Sequence, residues 1–426
     1  MVVGARKVIG VREFTEACGV AVTVTDAPAP VDGRRNVIKA VVAAGWAYGG
    51  RASGLLWTIV VVAHLGVGSY GQYAMGFALG AIIAAPLDNP FNVRAIRESK
   101  ERFLTERASR ALLGIGLMIA GAACSPFSYL AWFALVVGGG EIVFNAVKSA
   151  PLRDGHPDRV MRMDTIRQFS SIVLGAGYLL VAPHPNLTAA SMLYALPYVV
   201  VAARGLMLVP GNRPGIPGHP RLIAVLFAEH LANAAYMQGD ILLLGALTDS
   251  DIAGYYAIAS TVGWAAAQLG MALGNTYHEP LRAAGGALSA GPPTKHIAAV
   301  AVATSGSVIA AGLVMLATPF STQLAWSLVI IGVFVAMRVV NFVLMTVLYV
   351  QRRDIVRSVA AGVLAPIKLL LVFALAHWGS IGACIASVVT DALLLAIYLA
   401  AVRRPIPAVE AEQAVAVPEQ TVREGE

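Results

Sequence analysis

The sequence predicts an all-α integral membrane protein of about twelve transmembrane helices in two six-helix lobes. Three observations predict it: a composition too apolar for water, a dozen apolar segments of bilayer length, and a one-sided distribution of Lys and Arg. The chain has 426 residues, 58% hydrophobic and 13% charged, with mean hydropathy +0.71. A soluble protein of this length leaves much of its chain in contact with water and cannot hide that much apolar surface. Apolar segments lie near 38–63, 70–87, 108–124, 127–147, 165–182, 188–208, 222–247, 251–273, 296–318, 324–350, 356–376 and 380–402. Each approaches the ~20 residues needed to cross a hydrocarbon core.

The Pro- and Gly-rich stretch PGNRPGIPGHPR (210–221) separates the first six segments from the second six and reads as the linker between an N-lobe (36–209) and a C-lobe (222–404). A cytoplasmic tail of residues 1–35 precedes the first span, and a Pro- and Glu-rich tail, 405–426, reads as disordered. Residues 1–35 have no long apolar run and do not read as a secretory signal peptide. With the N-terminus placed inside, 28 of the 31 Lys and Arg fall in the tails, the inside gaps or the inside ends of spans, and the outside gaps hold none. Such a bias orients a chain with both ends in the cytoplasm. The net charge of +7 is therefore an orientation signal for the plasma membrane, not a nucleic-acid footprint.

Several motifs fail their context. GVGSYG (66–71) fits a dinucleotide fingerprint but sits at a turn between spans rather than between strand and helix. Cys18, Cys124 and Cys384 form neither a disulfide framework nor a zinc pattern, and the eight His show no HExxH. No P-loop is present, so no nucleotide chemistry, cofactor, metal site or catalytic residue is expected. An internal echo does stand out. GQYAMGFALG (71–80) aligns with GYYAIASTVG (254–263) at Gly71/Gly254, Tyr73/Tyr256, Ala74/Ala257 and Gly80/Gly263, each at the start of its lobe's second span. Six spans per half is an even number, so the halves are expected to be parallel repeats.

The candidate site residues are the polar groups inside spans. Glu229, Asn233, Tyr236 and Asp240 recur at steps of four, three and four and share one helix face. Carboxylates there face protein, water or a substrate path rather than lipid. Arg51 in span 1, Arg338 with Asn341 in span 10, Lys368 in span 11, Asp391 in span 12 and Glu141 in span 4 are the others. The cations come from both halves, which favours a polar cavity between lobes over buried locks within them. Asp391 reads as a structural partner of Lys368 on the neighbouring helix, and Glu141 as a cavity or packing carboxyl. Arg94 and Arg97, after span 2, are inside anchors or an entrance for phosphate head groups.

The segments YGQYAMGFALG (70–80), GDILLLGALTDSDIAGYYAIAS (239–260) and GSIGACIASVVTDALLLAIYLAAVRR (379–404), set in two six-helix lobes, resemble Wzx-type lipid-linked oligosaccharide flippases of the multidrug/oligosaccharidyl-lipid/polysaccharide (MOP) superfamily. The resemblance covers about residues 36 to 404. It implies a V-shaped cavity that alternates between membrane faces. It also implies a polyprenyl-phosphate or -diphosphate glycan as substrate, held by cationic cavity residues. Arg51 and Asp240 match the family's Arg of span 1 and Asp of span 7; Arg338 has no assigned counterpart. On this reading Arg51, Arg338 and Lys368, with Asn341 and Tyr236, bind the head group, and Glu229 and Asp240 bind a coupling cation or hold the arginines. Membrane lipids, and glycosyltransferases or polymerases of the same pathway, are the expected partners. A drug/cation antiporter and a non-transporting scaffold of a glycan-assembly complex are the alternatives. A membrane glycosyltransferase is disfavoured, because the outside gaps offer only Asp249 and Asp251 as acids.

Overall fold

Glycine 66 sets the start of the fold. Helix Gly33–Ala95 is broken there, at φ 82° and ψ 169°, a conformation an L side chain rarely adopts. Its two parts are α1 (33–65) and α2 (67–95), and the chain reverses between them almost without a loop. The computed structural model describes residues 33–404 other than 96, 155 and 285, with side chains from Ser53 onward except at those positions, 157 and 158. The tails expected at 1–32 and 405–426, and the side chain of Arg51, lie outside the described residues. The chain divides into Met1–Trp46 and Ala47–Glu426, and the packing below is that of the second unit.

The helices that follow are α3 (Lys100–Cys124), α4 (Tyr129–Arg153), α5 (Pro157–Val181), α6 (Leu187–Leu206), α7 (Pro220–Leu247), α8 (Ser250–Thr276), the short α9 (His278–Ala283), α10 (Thr294–Leu316), α11 (Thr322–Val350), α12 (Asp354–Leu375) and α13 (Ser380–Val402). No strand occurs among the described residues. Nine helical segments there are long and apolar enough to cross a membrane, Ser53–Ala95 holding both sides of the Gly66 break. Helices α5 and α7, 25 and 28 residues long, fall short in hydropathy rather than length. Each carries a file of polar side chains, Asp164, Arg167 and Gln168 on one and His230, Asn233, Gln238 and Asp240 on the other. The protein is a multi-pass helical membrane protein.

Local chemistry sets the helix starts. Ser128, Asn186 and Asp249 each accept a hydrogen bond from the backbone N–H three residues on, at 3.3, 2.8 and 2.8 Å. Pro157 and Pro220 open α5 and α7, where the missing N–H costs nothing. The 210–221 stretch folds back on α3, with Ser109 Oγ donating to Gly215 O at 2.8 Å and accepting from Gly215 N at 2.7 Å.

The two halves pack by the same scheme. Helix α3 lies on α4, α4 on α6 and α5 on α6; likewise α10 lies on α11, α11 on α13 and α12 on α13. Small residues allow these approaches, since hydrocarbon gives helices no reason to associate except close contact and polar pairing. A Cβ on Gly80 of α2 would lie 2.8 Å from Ala134 O of α4, and one on Gly263 of α8 would lie 2.9 Å from Ile331 Cγ1 of α11. The matched pair Gly71 and Gly254 does more: these two glycines meet. A Cβ on Gly71 would strike Ser250 O and lie 2.8 Å from Gly254 N, while one on Gly254 would strike Val67 O. Helices α2 and α8 therefore touch backbone to backbone at the end of the bundle that carries the α1–α2 and α7–α8 turns.

Replacing Gly71 by Val is expected to part α2 from α8 and destabilise the protein by about 1–3 kcal/mol, the usual cost of overpacking. Gly116→Val is the control, because a Cβ there meets nothing within 4 Å. Thermal unfolding in detergent, followed by intrinsic fluorescence, compares the two; equal midpoints would refute the contact.

Candidate functional site

Buried charge in the second half is organised around α7. Asp240 forms an ion pair with Lys368 of α12, and its carboxylate also accepts from the Tyr256 hydroxyl of α8 and from Ile241 N at 2.9 Å. Lys368 Nζ donates a second hydrogen bond to Tyr236 O at 2.9 Å. One turn away, Arg338 of α11 pairs with Asp391 of α13. The Tyr236 hydroxyl sits between them, accepting from Arg338 Nη2 at 3.1 Å and donating to Asp391 Oδ1 at 3.2 Å. Asn341 Nδ2 completes the shell, donating to Asp391 Oδ2 at 3.2 Å and to Asp391 O at 3.1 Å. The four charged residues are 1%, 3%, 7% and 0% exposed for Asp240, Lys368, Arg338 and Asp391. They are buried inside one half and do not reach the cavity between halves.

The first half settles its own charges near α4. Arg110 of α3 grips Asp88 of α2 through Nε and Nη2, both at 2.5 Å, and Asn145 Nδ2 donates to the same carboxylate at 2.7 Å. Arg167 of α5 pairs with Glu141 at 3.0 Å, and the Tyr198 hydroxyl donates to Glu141 at 2.7 Å.

Between the halves lies a cavity of about 370 Å³, walled by α1, α2, α5 and α6 on one side and α7 and α8 on the other. Its described walls include Trp57, Tyr73, Tyr194 and Trp264 together with Gln168, Gln238, Gln268 and Thr261, and none of the described lining residues is charged. Arg338 stands one layer behind, its guanidinium carbon 4.6 Å from the centre of the Trp264 ring, so a cation–π contact sets that wall. A second cavity of about 310 Å³ shares Phe77 with the first and contains Asp88, Glu141, Asn145 and His230. Beside it Asn89 Nδ2 donates to Leu226 O at 3.0 Å, a hydrogen bond from α2 to α7 across the halves.

The sequence-based candidates separate accordingly. Arg338, Asn341, Lys368, Tyr236 and Asp240 come together, but as an interhelical network. Asp240 does not wall a water-filled path facing charges of the other half, because its cation, Lys368, comes from the same half. The pairing of Lys368 with Asp391 is also corrected: Asp391 takes Arg338, because α7 rather than α13 presents its carboxylate to Lys368. Glu229 is exposed and accepts from Ser358 Oγ at 2.8 Å, apart from the network. Glu141 does line a cavity. Arg94 is 8% exposed and held by Glu106 and Glu98, at 2.7 and 2.8 Å, so it ties α2 to α3 rather than opening an entrance. Arg97 is exposed. The neutral lining residues were missed. Their signal was the file Ala257, Thr261, Trp264, Gln268 along α8, at steps of four, three and four.

No family model and no curated protein matches the sequence. Solved structures do match the fold. A lipid II flippase MurJ in an inward closed conformation superposes with TM-score 0.62 at 11% identity, over 88% of this chain and 90% of that one. An inward-facing multidrug resistance MATE transporter of the MOP superfamily gives 0.56 at 13%, over 85% and 96%. A MOP superfamily transporter from Pyrococcus furiosus gives 0.51 at 13%, over 85% and 95%. The architecture is shared with these multi-pass membrane structures. More narrowly, it is the fold of the MOP superfamily, as the sequence resemblance implied.

Removing one partner of a buried pair leaves a charge without compensation, at a cost of about 3–5 kcal/mol. Lys368→Met is expected to destabilise by that amount, and adding Asp240→Asn to recover most of it. A double-mutant cycle on thermal stability checks this, and additive losses would mean that the two side chains do not interact.

Proposed function

We propose that the protein is a flippase that carries a polyprenyl-phosphate- or diphosphate-linked sugar or oligosaccharide from the inner to the outer leaflet for cell-envelope polysaccharide assembly. The observation that carries this reading is the neutral, aromatic and amide-rich lining of the larger cavity. Pockets of this kind take ligands by apolar contact plus a few placed hydrogen bonds. A sugar offers both, with C–H faces for the rings and hydroxyls for the amides. A cationic drug would draw cation–π attraction from the rings but would find no carboxylate among the described lining residues.

Arg338 and Lys368 are committed to carboxylates, so the phosphate charge falls to Arg51, which precedes the lining residues Gly54 and Leu55 by three and four positions. Transport proceeds by rocking of one half on the other about the contacts between them. The protein lies in the plasma membrane with both termini cytoplasmic, as the Lys and Arg bias implies. Glycosyltransferases or polymerases of the same pathway are its partners. A cation or drug antiporter is the second reading, favoured by Asp88 and Glu141 at the second cavity; both already hold arginines. A scaffold without transport has no use for either cavity.

Depleting the protein is expected to make one polyprenyl-linked glycan accumulate, protected from enzymes added outside the cell. An unchanged lipid pool together with new sensitivity to cationic drugs would replace the flippase by the antiporter. Arg51→Gln is expected to slow flipping in reconstituted vesicles at least about tenfold, the worth of one hydrogen bond to a charged group.

A further inference from the structure

Two side chains that line the cavity between the halves carry buried polar atoms with no hydrogen-bond partner among the described residues. Trp57 is 2% exposed, and among the described residues its indole Nε1 has no hydrogen-bond partner. Gln268 Oε1 is likewise buried and unpartnered. Both side chains line the same cavity. Such orphans are rare, because a buried polar group without a partner costs about 1–3 kcal/mol.

Their surroundings hold them in place. The Trp57 ring packs against both Tyr73 and Tyr194, with centroids 5.4 and 5.2 Å away, and those two rings also touch each other at 5.7 Å. Its benzo edge lies against α5, where a Cβ on Gly175 would come within 2.7 Å of Cζ3 and 2.9 Å of Cη2. The pyrrole edge, which carries Nε1, is the opposite edge and turns away from α5. Gln268 stands one turn beyond Trp264, whose ring is fixed by Arg338 and by Phe334 at 5.5 Å. Rigid aromatic walls thus bracket one donor and one acceptor.

We infer that this cavity is a glycosyl-binding site, in which hydroxyls of a short, uncharged sugar head satisfy Trp57 Nε1 and Gln268 Oε1. A hydroxyl donates and accepts, so one kind of group serves both atoms. A phosphate accepts from Trp57 but offers Gln268 nothing to accept. A quaternary ammonium or phosphonium serves neither. The volume, about 370 Å³, lies at the small end of ligand pockets, so the site takes a short head and leaves any longer glycan outside it. The inference rests on the flippase reading and adds to it that the sugar, not only the phosphate, is read.

The test uses the full chain in lipid nanodiscs and three probes: geranyl-phosphate-linked glucose, geranyl phosphate, and tetraphenylphosphonium. The wild type is expected to bind the glucosylated probe at least about tenfold more tightly than geranyl phosphate. Trp57→Phe removes the N–H together with the pyrrole half of the indole, so an unchanged affinity for geranyl phosphate is the check that the wall survives; Gln268→Met keeps the volume and removes the amide. Each is expected to reduce that preference about three- to tenfold, the range for one neutral hydrogen bond, with the Kd of geranyl phosphate unchanged. A preference that survives both substitutions overturns the inference. Equal binding of the two phosphates also overturns it, and the flippase reading is then decided separately by whether depletion makes a polyprenyl-linked glycan accumulate. Binding of tetraphenylphosphonium alone removes both.

Discussion

Charge compensation inside the second half is the constraint on which the structure depends. Lys368 and Arg338 cannot stand alone in a bilayer, and each is answered by a carboxylate from another helix, Asp240 of α7 and Asp391 of α13. Tyr236 bonds to both cations, and Tyr256 carries the network from Asp240 to Ser387 of α13, 2.9 Å away. Five long helices, α7, α8, α11, α12 and α13, therefore converge on one cluster. Between hydrocarbon-coated helices apolar contact says little about which neighbour is right. Polar pairs with a single good solution do.

The first half reaches the same end by different means. Its ion pairs, Arg110 with Asp88 and Arg167 with Glu141, sit towards the second cavity. Its centre is filled by aromatic rings instead, with Trp57, Tyr73 and Tyr194 in mutual contact. Each half thus resolves its charges internally. Among the described residues the space between them has neutral walls of rings and amides. The same economy explains Arg338, which serves the cavity only from behind, by setting the Trp264 ring.

The fold was legible in the sequence because the signals for it are local: hydropathy marks each span, and Gly66 and the 210–221 stretch mark turns. Helices α5 and α7 are the least apolar spans for the reason that makes them informative, the polar side chains they carry, among them Arg167, Gln168, Gln238 and Asp240. The network's members were legible too, since a charge in an apolar run is conspicuous. Their partners were not. Lys368 lies close in sequence to Asp391, yet α7 packs against α12 and brings Asp240 to it, a choice made by helix packing rather than by order along the chain. Trp57 and Gln268 escaped because uncharged polar residues barely disturb hydropathy, and only their burial without partners singles them out. Gly71 and Gly254 were readable as matching positions, but that they touch each other is a property of the folded pair of halves.

Neutrality within the second half has an electrical consequence. A potential across a membrane does about 2.3 kcal/mol of work per elementary charge per 100 mV on charge that moves through it. The cluster of Asp240, Lys368, Arg338 and Asp391 carries two positive and two negative groups, and when its half tilts as one body those contributions cancel to first order. Voltage therefore has little purchase on this part of the protein. On the proposed flippase reading, any charge this cluster's half carries through the field is that of its ligand.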